Sequence, residues 1–158
     1  MIFSDKEVEI GQYLIRTKLV RYKMMKLSKM TDYAVIILAE LAQDSEKRLS
    51  ASAIALVTQL PEPTVSKILK LLARENIVQS TRGVNGGYAL TRNPENISIA
   101  HVVTATEGPL TLTACVDQDN DCCERTRDCS MRGKWTPVNQ AMTHALESVS
   151  LHQMMGVK

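Results

Sequence analysis

The chain has 158 residues, 44% hydrophobic, 23% charged and 4% aromatic, with a formal net charge of +2; this suits one helix-rich folded domain with an appendage and excludes a disordered chain or an aromatic-rich β-sandwich. No stretch approaches the roughly 20 apolar residues of a membrane span, and the opening residues lack the basic start and apolar run of a secretory signal. The expected location is therefore cytoplasmic, with no membrane partner, in a compartment that keeps thiols reduced.

Residues 1–24 show no clear period and read as an N-terminal extension; Met24 and Met25 each suit a start. Beyond them, Ala34, Ile37, Leu38, Leu41 and Ala42 recur at helical spacing, which predicts a first helix capped by Ser28 or Thr31. Ser50 opens a short second helix with Ile54 and Val57 on one face, and Pro61-Glu62-Pro63 breaks it. A third helix then buries Val65, Ile68, Leu69 and Leu72 and turns a basic, hydroxylated side outward. Two β-prone runs follow around Asn85-Gly86-Gly87, a strong hairpin signal.

Residues 98–107 give a fourth helix, ended by Gly108-Pro109. Thr136-Pro137 starts a last one, with an apolar stripe of Val138, Ala141, Met142, Ala145, Leu146 and Val149 through residue 150. Such a stripe on a small domain needs a partner, and a second copy of the chain is the simplest supplier. The expected fold is mainly α with a small β-hairpin wing: a winged helix-turn-helix plus a long C-terminal dimerisation helix. Its parts are the extension 1–24, the DNA-binding domain 25–97, a helix and cysteine-rich loop 98–134, and the dimerisation helix and tail 135–158.

Between Thr64 and Arg92 five cations, Lys67, Lys70, Arg74, Arg82 and Arg92, stand against the single acid Glu75. A solvated basic face is the plain explanation, but the Pro-Glu-Pro turn before the helix and the hairpin after it favour double-stranded DNA. Thr64, Ser66 and Lys67 are placed to reach base edges in the major groove, and Lys70 and Arg74 to reach phosphates. Arg82, at the shoulder of the wing, suits a narrow minor groove or a phosphate, with Asn85 in the turn beside it. The order G-x-x-G-G matches no nucleotide-binding loop, so turn geometry explains these glycines.

All four cysteines, Cys115, Cys122, Cys123 and Cys129, fall within fifteen residues of polar, charge-mixed sequence. Core packing does not explain that crowding, which points to one shared ligand or redox event. An iron–sulfur cluster, a zinc site and a thiol–disulfide sensor compete. Structural zinc favours close C-x2-4-C pairs, whereas the spread of Cys115, Cys123 and Cys129 suits a larger cluster. A small thiol oxidoreductase is a distant alternative. His101, His144 and His152 adjoin none of the thiols, and Trp135 reads as a ring that packs a loop onto the core. No catalytic triad or paired-carboxylate arrangement is legible, so neither enzyme activity nor a small-molecule substrate is expected.

From about Met25 to about Met155 the chain resembles the Rrf2 family of winged-helix iron–sulfur transcription regulators, the IscR-, NsrR- and RirA-like proteins. KLSKMTDYAVIIL, PTVSKILKLLARENIVQSTRGVNGGYALTR, EGPL, and the spaced cysteines followed by RGKW carry the resemblance. TDYA, RGVNGGY and RGKW together look most like the subgroup that regulates the SUF iron–sulfur assembly genes, which implies a repressor. The resemblance further implies a cytosolic homodimer, a C-terminal helix crossing to the partner, and DNA affinity set by a cluster: 2Fe–2S is favoured, with 4Fe–4S the alternative.

Cys115, Cys123 and Cys129 match the family's ligand cysteines, while Arg132 stands where some members place a ligating histidine. A guanidinium cannot coordinate iron. The resemblance then offers Asp32, which matches a carboxylate that other members supply from the opposite subunit, with Cys122 as its rival.

Overall fold

The computed structural model describes residues 26–44, 47–83, 86–113, 116 and 129–156. Helix α1 (Lys29–Leu41) is capped by Ser28, whose hydroxyl accepts from the amides of Met30 and Thr31. Thr31, the other predicted cap, is buried instead. Ala34, Ile37, Leu38 and Leu41 face inward as their spacing requires.

Helix α2 (Ala51–Thr58) begins at a Ser50 cap and ends at Gln59, which adopts a left-handed conformation (φ 57°). Only Ile54 of this helix is fully buried. Val57, expected beside it, is 57% exposed. The inward row is Ala51, Ile54, Ala55 and Thr58, at i, i+3, i+4 and i+7; a count of large apolar residues overlooks the small alanines that carry it.

After the turn 59–61, α3 (Glu62–Arg74) starts with Pro63 in its first turn. Proline lacks only an N–H that has no partner at that position. Val65, Ile68, Leu69 and Leu72 are fully buried. Asn76 (φ 52°) ends the helix and turns the chain into β1 (Val78–Thr81), which pairs antiparallel with β2 (Gly87–Leu90) in the register Val78 to Leu90 and Thr81 to Gly87.

The hairpin has an extra edge. Leu49, just before α2, exchanges backbone hydrogen bonds with Tyr88 at 3.1 and 2.8 Å, so the wing is tied to the approach to the helix-turn-helix. A Cβ on Gly87 would lie 2.8 Å from the Leu49 carbonyl oxygen, and the residue has φ 152°. Glycine is required there by close approach.

A 3-10 turn (Pro94–Asn96) leads into α4 (Ile99–Glu107), whose Val102 and Ala105 join the core with Ile97. Helix α5 (Thr136–Glu147) packs along α4 yet has no fully buried residue. It stops at Glu147, short of the expected residue 150. Ser150 instead opens α6 (Leu151–Met154) through a capping box with Gln153. Leu151 is fully buried in the core shared with α1, α3 and α4, and its amide donates to the Ile97 carbonyl at 2.8 Å. Apolar demand at Leu151 outweighs continuation of α5.

Candidate functional site

The outward side of α3 carries Lys67, Lys70 and Arg74, all exposed and spaced i, i+3 and i+7. That spacing puts the three cations on one stripe, opposite the buried row. Thr64 and Ser66 flank it, half-buried, in the N-terminal half of the helix. The Thr64 amide is already engaged with the Pro61 carbonyl at 2.9 Å, which stiffens the entry turn.

Arg82 is exposed where β1 ends, and Gly83 next to it takes φ 115°. Arg92, counted with the basic run, is used differently. Half-buried, it donates from Nη2 to the Asn76 carbonyl at 3.3 Å, alongside Thr91, whose hydroxyl donates to the carbonyls of Asn76 and Ile77. It fastens the junction of α3 and the wing. Arg48 was not singled out from sequence; its guanidinium donates to the Thr81 hydroxyl and adds an exposed cation beside Arg82. No local pattern signals it, because strand pairing at Leu49 brings it there.

Cys115, Cys122, Cys123 and Asn85 lie outside the described residues. Cys129 is a half-buried free thiol, and its carbonyl accepts from the Arg132 amide at 3.1 Å in the turn that leads to α5. Among the described residues no three His, Cys, Asp or Glu side chains gather as a metal site. Asp32 is exposed in the first turn of α1. Trp135, expected to pack inward, is 41% exposed, with Met131 at 47% and Val138 at 50% nearby.

Two anchoring side chains escaped the sequence reading. Glu107, at the end of α4, accepts on Oε1 from the Ser28 amide at 2.8 Å and from the Thr31 hydroxyl. The hydroxyls of Thr31 and Thr106 lie 2.8 Å apart. Burial alone would raise the Glu107 carboxyl, but the hydrogen bonds from Thr31 and Ser28 outweigh it and hold the group below the usual glutamate range. Asn139 on α5 clasps the chain leading to the cysteines: its Oδ1 accepts from the Leu112 amide and its Nδ2 donates to the Leu110 carbonyl, both at 2.9 Å.

Residues 27–156 match the family model described as Rrf2, an iron-dependent transcriptional regulator. The chain belongs to the Rrf2 family. It is 28% identical over 132 residues to the HTH-type transcriptional regulator NsrR of Halalkalibacterium halodurans, covering 83% of this chain and 90% of that one. Its fold is similar to that of CymR, the global cysteine regulator of B. subtilis (TM-score 0.63, 26% identity, 84% and 97% of the chains), and to T. potens IscR (TM-score 0.61, 26% identity, 84% and 87%). As an Rrf2 protein the chain is a DNA-binding transcription regulator with a winged-helix fold, not an enzyme. No described helix is long and apolar enough to cross a membrane.

Proposed function

We propose that this Rrf2 protein is a cytoplasmic homodimer that reads a double-stranded operator under the control of an iron–sulfur cluster, as a repressor of SUF assembly genes. The exposed stripe Lys67, Lys70 and Arg74, on the helix that follows the turn, carries the DNA reading. Thr64, Ser66 and Lys67 meet base edges; Lys70, Arg74, Arg82 and Asn85 secure the backbone and wing contacts. TDYA, RGVNGGY and RGKW support the SUF assignment.

The donor set fits a cluster. Cys129 is a free thiol just ahead of α5, it falls in the same short segment as Cys115 and Cys123, and thiolates are the usual ligands of iron–sulfur centres. Asp32 of the partner subunit completes the set, with Cys122 the rival; 2Fe–2S is the favoured nuclearity over 4Fe–4S. A bound cluster supplies sensitivity to iron, oxygen or nitric oxide. The remaining work is done by protein groups: Asp32 ties the first turn of α1 to the ligand set, α1 packs on α3, and the two copies of α3 keep a spacing matched to half-sites.

Anaerobic purification tests this reading. Visible charge-transfer absorption is expected in the wild type and in Cys122→Ala, and is lost in Cys123→Ala; equal loss in both thiol variants would overturn the ligand choice. The likeness to a cysteine regulator favours a second reading, in which the thiols themselves sense oxidation. Colourless, iron-free protein whose operator affinity changes on oxidation would decide for it, and bound zinc would instead indicate a staple.

A further inference from the structure

We propose that residues 107–112 act as a strut passing the state of the cysteine segment to the reading head, with Glu107 as the positioning residue at one end and Asn139 holding the other. This rests on the cluster-controlled reading above and names its physical link.

The N-terminal turn of α1 presents amide donors that the helix itself cannot satisfy. One of them, on Ser28, is taken by Glu107 from 79 residues further along the chain. The same carboxylate oxygen accepts from Thr31, the one buried polar residue among those described, 1% exposed. A buried hydroxyl needs a partner, so shifting Glu107 reduces its choices to Thr106. Glu107 is thus fixed to the turn that presents Asp32.

Helix α4 ends at this point, with Gly108 at φ 90°, and the chain reaches Leu110 and Leu112 under the clasp of Asn139. The cysteine segment begins three residues after Leu112. The chain entering that segment is therefore held at two points: to α5 through Asn139, and to the first turn of α1 through Glu107. Helix α1 packs directly on α3, so one further contact separates the strut from the groove-reading stripe.

Operator affinity measured with and without the cluster, combined with amide hydrogen exchange on cluster-free protein, tests the strut in wild type, Glu107→Gln, Glu107→Ala and Thr31→Val. A wild-type affinity ratio of about 5 to 150-fold is expected, the usual range for coupled sites. In Glu107→Ala the ratio falls to within about twofold of one, and exchange at Ser28 to Asp32 accelerates about tenfold, as loss of a typical hydrogen bond implies. Thr31→Val, which removes the hydroxyl at nearly constant volume, moves both readouts the same way by less. Glu107→Gln keeps an acceptor oxygen and restores most of each. An unchanged ratio in Glu107→Ala beside a large wild-type ratio overturns the strut alone. A wild-type ratio of one overturns the cluster control and the strut with it.

Discussion

Side chains of one chemical type do different work here according to what the backbone brings near them. Lys70 and Arg92 both lie in the basic run, yet Lys70 is open to a phosphate while Arg92 holds the carbonyl that ends α3. Lys70→Ala should weaken binding evenly across operator sequences and reduce the salt slope of the affinity by about one, whereas Arg82→Ala should cost roughly 1–3 kcal/mol of operator binding. Arg92→Ala should leave the salt slope intact and lower the urea midpoint. Gel-shift titrations at several salt concentrations, with an equilibrium melt of each variant, separate these outcomes. The outward placement of the α3 cations was legible because helical period alone sorts them from Val65, Ile68, Leu69 and Leu72. Glu107 and Arg48 were not, since their partners Ser28, Thr31 and Thr81 are distant in sequence.

Among the elements, α1, α3, α4 and the hairpin matched expectation, α2 matched in its Ser50 start but not in its inward face, and α6 was not foreseen. Helices α1, α3 and α4 present long apolar rows, and the hairpin carries its own turn chemistry. Helix α2 hides its inward row in alanines, and α6 is only one turn long. A signal for α6 was present, because Ser150 and Gln153 have capping-box spacing. Leu151 sits in that turn yet is fully buried, so Leu151→Ala should destabilise the winged-helix domain by about 2–5 kcal/mol, the usual cost of truncating a core leucine. Urea denaturation followed by far-ultraviolet circular dichroism measures it. A loss below about 0.5 kcal/mol would show that the tail merely rests on the surface.

For the molecule as a whole, the outstanding feature is α5: a 12-residue helix without one fully buried side chain, and with Val138, Trp135 and Met131 exposed around its start. Apolar surface of that kind marks an association site, in keeping with the proposed dimer. Val138→Glu combined with Leu146→Glu should give monomers in sedimentation velocity and lower operator affinity by about 10²–10⁴, the usual gain from tethering two binding modules. Unchanged sedimentation would exclude α5 as the interface. The chain leaves α4 at Glu107, and it returns where Ser150 pairs with Ser98 and Ile99 donates to the Val149 carbonyl at 2.8 Å. The two feet of that excursion stand at opposite ends of α4, a nine-residue helix about 13 Å long. Lengthening a loop whose feet are already fixed costs only about 0.6 kcal/mol per doubling. The stretch between those feet can accordingly grow or shrink over generations while the winged-helix fold beneath it keeps its shape.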